Sequence, residues 1–397
     1  MPGKSSGMKS VRLTLFALFS YLLILQLVVC ISGLRLGPKD SSDFRQLYTA
    51  GYMVRQGQGR ELYNYELEEQ LQNRIVSPGK PLPFDHFAYE TLLFAPFSLL
   101  KYSTAYFAFG VFNIFLLAAA QRLFRPYLSP LESLGKLAPE AIFFCFLPAA
   151  IALILGQDSI LLLVLAVLAF LALERGHDAR SGLFLSLGLF KFQLILPIVL
   201  LFLLWRRWRF VFGAASGGLA VLCLSTWLTG FSGMRAFART MVEMSIGLSS
   251  PAQRLKFATF PNAMPNLRGF IDTVAGSHLS AGAIQVAVII CTLVVILLAS
   301  RTPPSLHLAI LVAVLVSYHG LIHDSTLLAL PLGMVLVRSI SEKNLLLGIF
   351  DMLVFVCPAI LFEFWGGRYF LMAIPILILL FLQRTASQEA AAGLSAQ

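Results

Sequence analysis

The chain has 397 residues, 58% of them hydrophobic and only 13% charged, with a formal net charge of +10. A soluble domain holds about 45–50% apolar and about 25% charged residues, so this composition excludes one and describes a polytopic membrane protein. The positive charge does not point to nucleic acid, because Lys and Arg fall in short groups between apolar runs, where the positive-inside rule places them.

Apolar runs near the ~20 residues a helix needs to cross the hydrocarbon core divide the chain. Lys4, Lys9 and Arg12 precede the first run, 12–33, which predicts a cytoplasmic N-terminus. That run is too long for a cleaved signal and lacks a small-residue cleavage pattern, so it reads as a retained helix. Residues 34–90 form a first outer segment. The run 91–119 returns to Arg122, Arg125 and Lys136, 139–155 brings Gln157 and Asp158 out, and 159–173 goes back to Glu174, Arg175 and Arg180. A single crossing over 181–204 would put Trp205 to Arg209 outside, against the charge rule. Two short helices with Lys191 at their tip are predicted instead. Irregular backbone at that depth is tolerated only where it is buried in protein or lines a wet cavity, which itself marks a site.

Further on, 210–229 goes out, 230–280 forms a second outer loop, and 281–299 returns to Arg301. The run 305–318 delivers His319, His323 and Asp324 outside, 326–337 returns to Arg338 and Lys343, 345–362 goes out, and 368–383 comes back to Arg384. The expected architecture is all-α: about twelve crossings in one integral membrane domain, 1–384, with both termini inside. The tail 385–397 is rich in Ala, Ser and Gln and is predicted to be disordered.

In the first outer segment Phe44, Leu47, Tyr48 and Met53 recur at helical spacing before Gly57-Gln58-Gly59, and Leu62 to Ile75 repeats the pattern. Two short helices lying in the membrane interface are predicted. Ser41 or Ser42 is placed to cap the first, with Asp43 near its positive end, which favours an ionised carboxylate.

Ionisable groups at membrane depth are expensive and usually mark a site. The span count puts Asp43, Gln157 with Asp158, Lys191 with Gln193, and His319 with His323 and Asp324 on one side of the membrane. Each has a plainer reading. Asp43 fits a capping residue in a wet loop, and Gln157 and Asp158 fit a helix cap. Arg254, Lys256 and Arg268 fit solvated charges as well as an anion partner. Lys191 is harder to dismiss, since burying it costs ~2.5–3.5 kcal/mol unless an anion or a wet cavity compensates. His319, His323 and Asp324 lack the three good ligands and open position of a catalytic metal site, so they are read as hydrogen-bonding groups and no metal is expected. The five cysteines lie in or beside apolar runs without CxxC spacing and read as small core residues.

Ser42-Asp43-Phe44 just beyond the first helix, followed by the aromatic-rich Glu61-Leu62-Tyr63-Asn64, resembles the membrane glycosyltransferases of family 87, in the type C superfamily. Gly156-Gln157, Lys191-Phe192-Gln193 with Pro197, Pro265-Asn266-Leu267-Arg268-Gly269 and His319 through Asp324 are similar to further segments of that family, in the same order. The chain departs from it at Tyr89-Glu90-Thr91, where the family commonly has Tyr-Pro-Pro, and at Phe192, where it has proline.

The resemblance implies transfer of a sugar, often mannose, from a polyprenyl-phosphate donor to a lipid or glycan acceptor. The site would face the exterior of a bacterial plasma membrane, with no cofactor. The chain accordingly has no P-loop or dinucleotide fingerprint. In the mechanism it implies, Asp43 is the general base for an inverting displacement. Lys191, with Arg254, Lys256 and Arg268, binds the donor phosphate. Gln157, Asp158, Gln193, Asn266, His319, His323 and Asp324 orient substrate. The rival readings are a ligase moving whole lipid-linked glycans and a transporter or flippase. A transporter often shows internal repeats with a site near the midplane, whereas these polar groups gather at one end and no self-similar halves occur.

Overall fold

A computed structural model describes residues 3–36, 42–247 and 260–395, and every element among them is a helix or a helical turn. The helices are α1 Gly3–Leu36, α2 Phe44–Arg55, α3 Tyr65–Ile75, α4 Thr91–Phe94, α5 Tyr102–Phe124, α6 Ala138–Phe144, α7 Leu147–Leu155 and α8 Ser159–Glu174. They continue as α9 Asp178–Ser186, α10 Phe192–Leu204, α11 Trp208–Gly247, α12 Leu267–Ala275, α13 Ala281–Ala299, α14 Leu306–Val316, α15 Ala329–Glu342, α16 Leu345–Phe364 and α17 Ala373–Ser395.

Among the described residues six helical segments are long and apolar enough to cross a membrane, and the number is eight if each of two bent pairs, α6 with α7 and α9 with α10, is taken as one span. The twelve crossings expected from the sequence are not reached. Three of the four missing crossings lie in α8, α14 and the segment Tyr369–Thr385, which are apolar but short, and the fourth in the α9–α10 pair, expected as two crossings and counted here as one. Two boundaries also move. The crossing expected over 91–119 starts at Tyr102, because Pro96, which has no N–H to donate, and a short turn at Phe97–Leu99 break the chain after α4. The tail expected to be disordered continues α17 to Ser395, where Ala386 and Ala390 to Ala392 supply strong helix formers. The second outer loop is likewise partly helical, since α11 runs on past a kink at Gly230 to Gly247.

Residues 181–204 form two helices with Lys191 between them, and their ends settle which way they run. Arg207 donates two hydrogen bonds, at 3.0 and 2.7 Å, to Asp178 Oδ2, so the start of α9 and the end of α10 meet at one level. Along α9 and α11, Gly182 faces the Phe210 carbonyl, Gly213 faces that of Ala179, and Gly217 faces Ser186 Oγ. That register is parallel: both helices rise from the same end. The segment is a re-entrant hairpin, and Lys191 sits at its tip.

Helices α2 and α3 occur over the residues expected, and α2 is enclosed by the protein on nearly every side. Phe44 to Gly51 and Met53 are all buried. Arg45, with 1% exposure, donates to Gln72 Oε1 and the Ser77 carbonyl, so its charge is satisfied inside the fold. Phe44 stacks on Phe109 with ring centroids 5.2 Å apart and also meets Phe94, Tyr102 and Tyr106. This aromatic packing fixes the start of α2, and with it Asp43.

Candidate functional site

The start of α2 and two chain reversals bring the polar clusters together. Asp43 occupies the N-cap position of α2 without a side-chain cap bond, and the neighbouring Ser42 hydroxyl donates to the Leu155 carbonyl while accepting from Phe44 N. Ser41, the other expected cap, lies outside the described residues. Between α7 and α8 the chain turns at Gly156, whose φ of +64° suits glycine and whose missing side chain leaves room for Phe44. Gln157 and Asp158 are thereby left at the tip. The hairpin supplies Lys191, whose height is set by Tyr89: its hydroxyl donates to the Leu187 carbonyl at 2.7 Å and accepts from Phe190 N at 3.0 Å.

One side chain joins these elements. Gln157 Nε2 donates to Asp43 Oδ2 at 2.7 Å, while Gln157 Oε1 accepts from Lys191 Nζ at 3.0 Å. The ammonium also lies 3.4 Å from Asp158 Oδ1 and 3.4 Å from Asp324 Oδ1. Asp324 is anchored in turn by the Ser159 hydroxyl at 3.0 Å and by Leu321 N at 3.0 Å. The compensation for burying Lys191 therefore comes from two carboxylates of the protein itself, where the sequence argument looked to an anion or to water.

These groups line a pocket of about 500 Å³ of empty space: Asp43, Gln157, Lys191, Gln193, His319, His323 and Asp324, with Gln46, Asp85, His86 and three apolar residues. Asp158, fully buried, stands behind it. Asn266 and Arg268 are not among the lining residues. Asn266 spends its amide on scaffolding, accepting from Gly269 N and donating to Ser317 Oγ and the Gly320 carbonyl, which fixes the loop that carries His319. Arg268 lies over the Tyr318 ring, 3.8 Å from its centroid. Arg254 and Lys256 lie outside the described residues.

Asp85 and His86 also line the pocket and were not among the site residues expected from the sequence. His86 Nδ1 is 2.5 Å from Glu90 Oε2 and 3.3 Å from Asp158 Oδ2, and Nε2 is 3.5 Å from Asp85 Oδ1. A histidine four residues before a glutamate, in a segment otherwise apolar, was the available signal. Burial opposes a charge on His86, but Glu90 and Asp158 outweigh it and hold its pKa well above the ordinary value. Burial raises Glu90 well above the carboxylate range, although His86 pulls the other way. Burial also raises Asp43, against the pull of His323, the Gln157 hydrogen bond and Lys191. His319 is pushed down to about 4, again by burial, and is neutral at physiological pH.

Chemically, the pocket offers a carboxylate with a raised pKa and a shared ammonium, joined through the Gln157 amide. A second cleft of about 850 Å³ opens beside it, sharing Asp85, His86, Gln193 and His319 and continuing over Phe192, Leu196, Pro197, Met241, Met244, Val316 and Tyr318. Polar at one end and apolar along its length, it suits an amphiphile.

The sequence model of glycosyltransferase family 87 matches residues 89–331, more than half of the chain. The match takes in Gln157, Lys191 and His319 to Asp324, while Asp43, Asp85 and His86 precede it. No curated protein and no solved structure matches.

Proposed function

The chain belongs to glycosyltransferase family 87, and from that premise we propose that this membrane glycosyltransferase moves a sugar, mannose in the first instance, from a polyprenyl-phosphate donor to a lipid or glycan acceptor. The reaction takes place at the outer face of a bacterial plasma membrane, in a type C fold. Asp43 takes the proton of the acceptor hydroxyl as that oxygen attacks the anomeric carbon. The phosphate leaves from the opposite face, and configuration inverts. General-base assistance of this kind contributes about 10²–10⁴-fold.

The observation that carries this reading is the position of Asp43 and Lys191 at two ends of the Gln157 amide, on one pocket wall. Base and cation are held in fixed relation before substrate arrives, which is the condition for charge stabilisation without reorganisation. Lys191 meets the departing phosphate from the hairpin tip, joined by Arg268, Arg254 and Lys256 from the second outer loop. Gln193, His319 and His323 address the sugar hydroxyls, with neutral His319 able both to donate and to accept. The apolar cleft beyond Gln193 takes the prenyl chain.

The test is transfer of radiolabelled mannose from polyprenyl-phosphate-mannose to endogenous acceptors in membranes carrying the wild type or Asp43→Asn. Product with the first and none with the second supports both donor and base. Full activity of Asp43→Asn removes the base assignment, and no product with either removes the donor.

A further inference from the structure

We propose that His86, Glu90 and Asp158 form a divalent-cation site in the wall of the pocket, suited to Mn²⁺. The ligand atoms of these three buried side chains all lie within 4.8 Å of one another. They are brought there from distant parts of the chain, His86 from the irregular stretch before Ala88, Glu90 from the short turn Ala88–Glu90 and Asp158 from the tip between α7 and α8. Two carboxylates and one imidazole make a donor set that suits Mn²⁺ among the biologically common divalent ions.

Two further observations point to a cation. The first is a crowding of buried oxygens: Glu90 Oε1 has no hydrogen-bond donor, and both oxygens of Asp158 are buried with only Lys191, His86 and the Glu90 carboxyl beside them. Asp158 divides its two oxygens, Oδ1 facing Lys191 at 3.4 Å and Oδ2 facing His86 at 3.3 Å, so a cation on the Oδ2 side leaves the lysine contact in place. The second is the setting of the imidazole. His86 presents Nδ1 to Glu90 and Asp158 while Nε2 faces Asp85 Oδ1 at 3.5 Å. A carboxylate behind a histidine on the side away from the metal is the arrangement that fixes ring orientation in metal sites.

The charges around the pocket give the site a purpose. Asp43, Asp85 and Asp324 line the pocket together with Lys191 and His86, and Asp158 also faces Lys191, so carboxylates outnumber the cations that an anionic ligand would meet. A divalent ion in the wall adds positive charge beside Asp158 and leaves Lys191 freer to act on an anion. A metal takes these ligands in their deprotonated forms, so affinity falls as pH is lowered.

The experiment is Mn²⁺ titration of the purified full chain in detergent, read by electron paramagnetic resonance and by the thermal unfolding midpoint. It is run on the wild type, Glu90→Gln and Asp158→Asn. The expected result is one bound ion per wild-type chain, a midpoint that rises with Mn²⁺ and returns on chelation, and affinity weakened more than about tenfold in each variant. No binding to the wild type overturns the proposal, as does unchanged affinity in folded variants. If a variant does not fold, the wild-type titration alone decides. Neither readout involves a sugar donor, so the outcome is independent of the transfer reaction.

Discussion

Gln157 Nε2 lies 2.7 Å from Asp43 Oδ2, and the other end of the same amide holds Lys191, so the orientation of Gln157 is fixed by the charges on its two neighbours. Gln157→Ala removes a hydrogen bond to a carboxylate, worth about 1.5–3 kcal/mol. If that bond serves the reacting form of Asp43, kcat/KM for sugar transfer falls by about 10–100-fold. Because the bond lowers the Asp43 pKa, the acid limb of the pH profile also moves to higher pH in the variant. A fall in rate with an unmoved acid limb would separate Gln157 from the base.

The pH dependence of the wild type follows from the same carboxylate. Burial holds Asp43 above its ordinary 3.8, so the base form is lost as pH falls through a value above 3.8, and kcat/KM falls with it. Stability runs the other way. The folded state binds this proton more tightly than the unfolded chain, so the contribution of Asp43 is fully present below 3.8 and lost as pH rises through the folded value. Asp43→Asn is therefore expected to unfold at the same or a higher temperature than the wild type at neutral pH while losing about 10²–10⁴-fold in rate. Thermal unfolding of the two proteins in one detergent, beside the transfer assay, checks both signs.

Lys191→Met strips the cation from Asp158 and Asp324, which lie within 3.4 Å of it. Leaving buried charges without their partner costs about 3–5 kcal/mol. A marked drop in the unfolding midpoint is expected, partly recovered when Asp324→Asn is added. No recovery in the double variant would mean that Asp324 is not the group left uncompensated.

Much of this was legible in the sequence, and its limits have physical causes. Periodicity located α2 and α3, and the placement of Trp205 to Arg209 required the hairpin whose two ends the Arg207–Asp178 pair joins. The enclosure of α2 was not legible, because Arg45 reads as a surface residue until its partners Gln72 and Ser77, far along the chain, are known. His86 was missed for a related reason. The stretch before Ala88 has no regular structure, so no period gave its side chains a direction.

The packing of α9 on α11 admits no side chain at its crossing. A Cβ on Gly213 would fall 1.9 Å from the Ala179 carbonyl, a backbone atom that cannot swing aside. Gly213→Val is expected to push the hairpin away and destabilise the fold by about 1–3 kcal/mol or more. Gly110→Ala, where nothing lies within 4 Å of the added atom, is the control. Equal unfolding midpoints for the two variants would refute the close approach.

Arg268 over the Tyr318 ring is a contact that charge alone does not preserve. Arg268→Lys keeps the cation and loses the stacked plane, at a cost of about 0.5–2 kcal/mol. The expected readout is a raised KM for donor with kcat nearly unchanged, since Tyr318 lines the apolar cleft and not the pocket that holds Asp43.

The pairing of Asp178 with Arg207 also bears on how this chain is mapped experimentally. Reporters fused on either flank of the hairpin will light up in the same compartment, although two helices separate them. A rule that takes the bent pair for a single crossing flips sides once here, where the chain ends on the side it left. Every loop after Arg207 then receives the opposite sign, and the polar tips would be assigned to two compartments that they do not occupy.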